Sequence, residues 1–257
     1  MKVFKNIYEY RELLKTNVKK EIRGKYKHSL LGVLWSYLNP LLQLLVYAIV
    51  FPLILKMTQE NYVIFVCSGL IPWTFFTTVV TQSTGVIVAN SNIVKKVYFP
   101  REILPISVTT SAAVNFLIST VIILAFVIFS GLGITKYILF YPLVLLVQYV
   151  LCLGISFVVS SITVYLRDLE HLIGIAIMLM FYLTPIVYSA KDLPPQYAAL
   201  MKLNPMAHII EGYRSIFYSQ TLPDFKNLGI LFIISIILCV IGYGIFKKLE
   251  KKFAEEI

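Results

Sequence analysis

Six long stretches of this chain carry no charged side chain: Leu30–Leu55, Asn61–Val94, Ile103–Thr135, Tyr137–Leu166, Leu172–Ala190 and Asn227–Phe246. A helix crosses the apolar part of a bilayer with about 20 residues, and each stretch reaches or approaches that length. They are continuously apolar, without the period-two alternation of an outer-membrane barrel strand. The pattern predicts an all-α polytopic membrane protein with six transmembrane helices, at 30–55, 61–90, 103–130, 137–166, 172–190 and 227–246.

The segments between them differ in kind. Over 1–28, Ile7, Tyr10, Leu14, Val18, Ile22 and Tyr26 recur every three or four residues, while Lys5, Glu9, Glu12, Lys19 and Arg23 fill the other faces. This predicts one amphipathic helix, suited either to the membrane interface or to a partner's surface. Segment 191–226 is proline-rich, and Leu203–Ile210 within it is too short to cross. Asn204-Pro205 begins a predicted helix holding Glu211, Tyr213 and Arg214. Read as short re-entrant or interfacial helices, the segment shapes an exit; read otherwise, it is a solvated loop lying on lipid.

Composition agrees with the pattern. The 257 residues are 58% hydrophobic and 14% charged, against about 25% charged in soluble domains. The net charge of +10 is explained by topology. Short loops rich in Lys and Arg stay on the cytoplasmic side. An even number of spans puts both basic ends there, together with Lys95, Lys96, Arg101 and Arg167. Only Lys56, Lys136, Lys191, Lys202, Arg214 and Lys226 remain for the other side. Nucleic-acid binding is not needed to account for the charge. No cleavable signal peptide is read, because the first apolar run follows a long charged stretch. Cys67, Cys152 and Cys239 lie in three different spans and suggest neither a disulfide framework nor a metal site.

Chemistry is sparse. No phosphate-cradling Gly-x-x-x-x-Gly-Lys-Ser/Thr occurs, no zinc spacing occurs, and no charged residue sits mid-span where ion-coupled carriers place one. What stands out is the island Ile93-Val-Lys-Lys-Val-Tyr-Phe-Pro-Arg-Glu-Ile-Leu-Pro105, basic, cytoplasmic and too short to be a domain. It is a point where a soluble partner can deliver energy that the chain does not generate. Arg101 and Glu102 are expected to pair at a helix start. The second half of the second span, with Gln82, Ser83, Asn90 and Asn92, is too polar to face lipid and is expected to face protein or a watery path. An ion pair between Arg214 and Glu211 is favoured over a contact of Arg214 with a lipid diphosphate.

Four segments together resemble the membrane subunit of type-2 ABC exporters, in the branch that exports O-antigen, capsule or wall teichoic acid. They are Leu31-Gly-Val-Leu-Trp-Ser-Tyr-Leu-Asn-Pro40; Gly69-Leu-Ile-Pro-Trp73 through Phe76; Lys95-Lys-Val-Tyr-Phe-Pro-Arg-Glu-Ile-Leu-Pro105; and Arg167-Asp168 with Thr184-Pro-Ile-Val-Tyr188, Asn204-Pro205 and Tyr213-Arg214. Their order and spacing agree along essentially the whole chain. The resemblance implies a homodimeric channel in a bacterial cytoplasmic membrane, with two separate ABC ATPase subunits docked from the cytoplasm. ATP and Mg would be bound by those subunits, with no cofactor or catalytic residue in this chain, and the substrate would be a lipid-linked glycan in contact with membrane lipid. It implies that the loop 91–102 is the coupling element, through Lys95, Lys96, Tyr98, Phe99, Arg101 and Glu102. The N-terminal helix would be a second docking surface, through Arg11, Lys19 and Arg23. Trp35, Tyr37, Asn39, Trp73, Phe76, Gln82, Asn90, Tyr182, Tyr188 and Arg214 are candidates for the substrate path; each aromatic among them equally suits an interfacial belt. An exporter of a small amphiphile and a stand-alone enzyme of envelope-glycan synthesis are the competing readings.

Overall fold

The structure, a computed structural model, describes residues 2–24, 35–55, 60–189, 194, 201 and 203–257. Among them no strand occurs. In chain order the helices are α1 (Lys2–Glu9), α2 (Arg11–Gly24), α3 (Trp35–Leu55), α4 (Tyr62–Ala89), α5 (Ser91–Lys96), α6 (Ile103–Phe129), α7 (Tyr141–Thr163), α8 (Leu169–Tyr182), α9 (Pro205–Phe217), α10 (Phe225–Leu249) and α11 (Phe253–Glu256), with tighter 3-10 turns at Lys136–Phe140 and Glu250–Lys252. The helices spanning Tyr62–Ala89, Ile103–Phe129, Lys136–Thr163 and Phe225–Glu256 are long and apolar enough to cross a membrane; Leu38–Phe51 and Leu169–Tyr182 are shorter apolar helices.

α4 is the centre of the bundle. It packs against α3, α6, α7, α8 and α9, and 78% of its most apolar stretch is buried. α7 and α10 form the most intimate pair, because glycine removes the side chain where they cross. A Cβ on Gly242 would stand 2.6 Å from the carbonyl oxygen of Gly154, and one on Gly154 would stand 2.8 Å from the backbone nitrogen of Cys239. Small residues at a crossing let backbones approach closely. The hydroxyls of Ser83 on α4 and Ser156 on α7 meet at 2.6 Å, so the polar half of α4 is used in part for helix packing.

Two expectations change. The amphipathic helix of 1–28 is two helices that meet at Tyr10. Ile7, Tyr10, Leu13 and Leu14 lie against a second apolar cluster built from Val94, Phe99, Phe157, Phe246 and Phe253. Tyr26 and residues 30–34 of the first span lie outside the described residues. The fifth apolar stretch, expected helical to 190, stops at Tyr182. The ring of Pro185 disfavours helical backbone at Thr184, so residues 183–189 run irregularly.

Candidate functional site

The irregular backbone after α8 leaves carbonyl groups without helical partners, and buried polar groups of this kind must be paired. Tyr188 of the same segment and side chains from three other places along the chain pair them. Asn204 donates through Nδ2 to the carbonyl of Leu183 at 3.3 Å and to Thr184 Oγ1 at 2.8 Å, while its Oδ1 accepts from Met206 N and caps α9. Tyr188 donates to the carbonyl of Tyr182 at 2.7 Å. Tyr62 donates to the carbonyl of Val187 at 2.8 Å. Arg214 is buried and donates through Nη2 to the carbonyl of Ile186 at 2.6 Å, with its guanidinium carbon 3.6 Å from the centre of the Phe65 ring. Gly69 makes room: a Cβ there would stand 3.2 Å from both Arg214 Nη2 and the Ile186 oxygen. The expected Arg214–Glu211 ion pair is absent among the described residues; the carbonyl exposed by Pro185 and the Phe65 face attract the guanidinium instead.

At the other end of the bundle, the loop 91–102 begins as α5 and becomes extended at Val97. The Glu102 carboxylate is fully buried. Its Oε1 accepts from Asn6 Nδ2 at 2.9 Å and its Oε2 from Lys247 Nζ at 2.8 Å. Lys247 also reaches Glu250 Oε1 at 2.8 Å. Arg101 therefore does not pair with Glu102 as expected. It donates to the main-chain oxygen of Glu250 and lies 6.0 Å from the centre of the Phe253 ring. Lys95 donates to the main-chain oxygen of Ile257 at 2.9 Å. Phe99 is buried, whereas Lys96 and Val97 are exposed and Tyr98 is 97% exposed. On α2, Arg11 sits over the Tyr8 ring and Lys19 is exposed. A hydrogen bond and charge from Lys15 hold the exposed Glu12 carboxyl below its ordinary range. The Arg23 side chain lies outside the described residues.

Between α3, α4 and α6 lies a cleft of about 410 Å³. Each helix gives it a polar pair spaced by four residues, one turn apart on a single face: Asn39 and Gln43, Thr74 and Thr78, Asn115 and Ser119. Trp35, Phe75 and Phe116 supply aromatic walls. The hydroxyl of Thr74 is returned to its own helix, on the carbonyl of Leu70. Asn115 Oδ1 is buried with no partner among the described residues, so the wall of the cleft carries an unsatisfied acceptor beneath its surface. Of the path candidates, only Trp35 and Asn39 line it. Trp73 and Phe76 are buried in the core, Asn90 is buried between Lys20 and the carbonyl of Val86, and Gln82 is half-buried. Tyr182 is exposed, and Tyr188 and Arg214 belong to the opposite knot. The Tyr37 side chain lies outside the described residues. Gln43, Thr74, Thr78, Asn115 and Ser119 were not singled out from sequence; their four-residue spacing in three apolar runs was the available signal.

The sequence profile of the ABC-2 type transporter family matches residues 12–218. The chain belongs to this family. Curated relatives of this ABC-2 transporter include an O-antigen export system permease protein RfbA of Klebsiella pneumoniae, 35% identical over 245 residues covering 95% of this chain and 94% of the relative. Another, of the same name from Myxococcus xanthus, is 32% identical over 259 residues and the full length of both chains. The polysialic acid transport protein KpsM of Escherichia coli is 22% identical over 243 residues, covering 90% of this chain and 91% of the relative. The family match runs from the first turn of α2 in this ABC-2 transporter to the residue after α9, and so takes in the loop, the cleft and the Arg214 knot.

Proposed function

We propose that this chain is the membrane permease subunit of an ATP-driven exporter that carries a lipid-linked polysaccharide, O-antigen or a related glycan, across a bacterial cytoplasmic membrane. The observation that carries this reading is the similarity along nearly the whole chain to permeases named for O-antigen export. The chain works as six spans, α3, α4, α6, α7, α8 and α10, with both ends and the loop 91–102 in the cytoplasm, as the distribution of basic residues favours. α1 and α2 lie at the cytoplasmic interface, and α9 is a re-entrant helix on the outer side, tied to the end of α8 by Asn204 and Arg214. Two copies form the channel, and an ABC ATPase dimer binding ATP and Mg docks from below on the loop and on the α1–α2 pair.

The cleft between α3, α4 and α6 is this chain's share of the path. Sugars present hydroxyl donors and acceptors with apolar ring faces, and the cleft presents amides and hydroxyls between aromatic walls. α8 supports the two-copy reading, since no residue of it is buried although it is apolar. Lipid and a second copy are the environments that can cover it.

The test is disruption of the chain in its host, followed by restoration from a plasmid. The expected outcome is loss of surface polysaccharide, accumulation of lipid-linked polymer inside the cell, and co-purification of the restored chain with an ABC ATPase. Unchanged surface polysaccharide together with a purified chain free of any ATPase would overturn the reading, and a small amphiphile retained in its place would reassign the substrate.

A further inference from the structure

Glu102 is fully buried, yet it is where the loop 91–102 meets both ends of the polypeptide. Asn6, which donates to one carboxylate oxygen, is 96 positions away, and Lys247, which donates to the other, is 145 positions away. A buried carboxylate is tolerated only when its charge is paired and its lone pairs are satisfied. Here every donor found for it comes from outside the loop. The neighbouring cations reinforce the attachment, because Arg101 and Lys95 bond main-chain oxygens of Glu250 and Ile257. Phe253, in the same segment, is buried against Phe246 of α10. Apart from Lys95, the loop residues left exposed are Asn92, Ile93, Lys96, Val97 and Tyr98, with Tyr98 the most open of them.

We propose that Glu102 is the positioning residue for energy input, fastening the loop, α1 and the end of α10 into one unit. This rests on the reading of 91–102 as the ATPase-docking element. A partner pushing on Tyr98 then moves α1 and α10 with the loop. The glycine contact between Gly242 and Gly154 passes the displacement on to α7. Lys95 and Arg101 hold the loop to the permease itself, and the surface offered to the ATPase centres on Lys96, Val97 and Tyr98.

The experiment uses the permease with its co-purified ATPase, reconstituted in liposomes with lipid-linked glycan inside reach of the docking side. Hydrolysis and export are read together. Glu102→Gln keeps the shape and the acceptor for Asn6 but loses the charge that holds Lys247. It is expected to leave ATPase binding and hydrolysis within about twofold of the starting protein while glycan exported per ATP falls tenfold or more. Exchanging the partners, Glu102→Lys with Lys247→Glu, is expected to bring that ratio back to within threefold. The neutral pair Glu102→Gln with Lys247→Met is expected to restore the abundance that Lys247→Met alone loses, yet not the ratio, which separates positioning from mere charge burial. A starting-protein ratio in Glu102→Gln or in the neutral pair overturns the proposal. Should Glu102→Gln fail to accumulate, Asn6→Ala removes one arm alone and is read by the same ratio. A Tyr98→Cys chain that gives no cross-link to the ATPase removes the docking reading itself, whereas a formed cross-link with an unchanged ratio in Glu102→Gln removes only the role of Glu102.

Discussion

The guanidinium of Arg214 lies 3.6 Å from the centre of the Phe65 ring, and the same group ties down the irregular backbone after α8 by donating to the carbonyl of Ile186. A desolvated cation–ring contact contributes about 2 kcal/mol, and a buried carbonyl left unpaired costs about 1–3 kcal/mol. Arg214→Met is therefore expected to destabilise the protein by about 3 kcal/mol, seen as a lower melting temperature in detergent. Arg214→Lys keeps the charge but loses the planar stacking face, and falls between. An unchanged melting temperature for Arg214→Met would show that Arg214 does not hold this segment.

Crowding at the α7–α10 crossing gives a second expectation. A methyl at Gly242 meets the Gly154 carbonyl oxygen at 2.6 Å, a backbone atom that cannot rotate aside. Gly242→Ala should force the helices apart at a cost of about 1–3 kcal/mol. The neighbouring Gly244, with open space around it, should accept alanine without loss. Equal melting temperatures for the two variants would contradict the close approach.

Removing one member of a buried ion pair is worse than removing both, because the survivor keeps an unpaired charge. Lys247→Met should cost about 3 kcal/mol, tempered by the partial exposure of Lys247 and by the remaining bond from Asn6. Adding Glu102→Gln should recover most of that loss. Membrane abundance and thermal unfolding of the single and double variants are the measurements; a double variant less stable than the single one would argue against a charge-paired Glu102.

The cleft predicts an effect on transport without an effect on folding. Asn115→Leu removes an acceptor with no partner among the described residues, so stability should hold or rise. Export of glycan should fall by tenfold or more while the ATPase stays bound. Wild-type export by Asn115→Leu together with Thr78→Val would place the path elsewhere.

The outward face of the loop predicts where the partner is lost. Lys96→Glu with Tyr98→Ala should abolish ATPase capture from solubilised membranes and leave the melting temperature unchanged, since both side chains are exposed. Arg101→Glu should instead lower the melting temperature, because Arg101 grips the segment after α10. The reverse pattern would exchange their roles.

Much of the helical layout was legible because membrane burial writes itself into long uncharged runs. α4, α6, α7 and α10 lie within a few residues of their expected limits, and the apolar side of the N-terminal stretch was readable from its spacing. The end of α8 was not, although Pro185 announced it. Its consequence, four side chains gathered to satisfy the released carbonyls, depends for three of them, Tyr62, Asn204 and Arg214, on segments outside it. The path candidates dispersed for a similar reason: periodicity places a residue on a helix face but does not say which neighbour covers that face, so Trp73 and Phe76 went to the core.

The sequence by itself determined that this is a helical membrane protein and which loop is basic, since both follow from the cost of placing charge in hydrocarbon. It also held the motifs that mark the family. Only the tertiary structure decided which cations of that loop are already engaged. Lys95 and Arg101 reach main-chain oxygens more than a hundred residues away, and Glu102 pairs with Lys247 and not with its neighbour Arg101. Pairing of this kind is set by which helix ends arrive together, and that is a property of packing which no local pattern encodes.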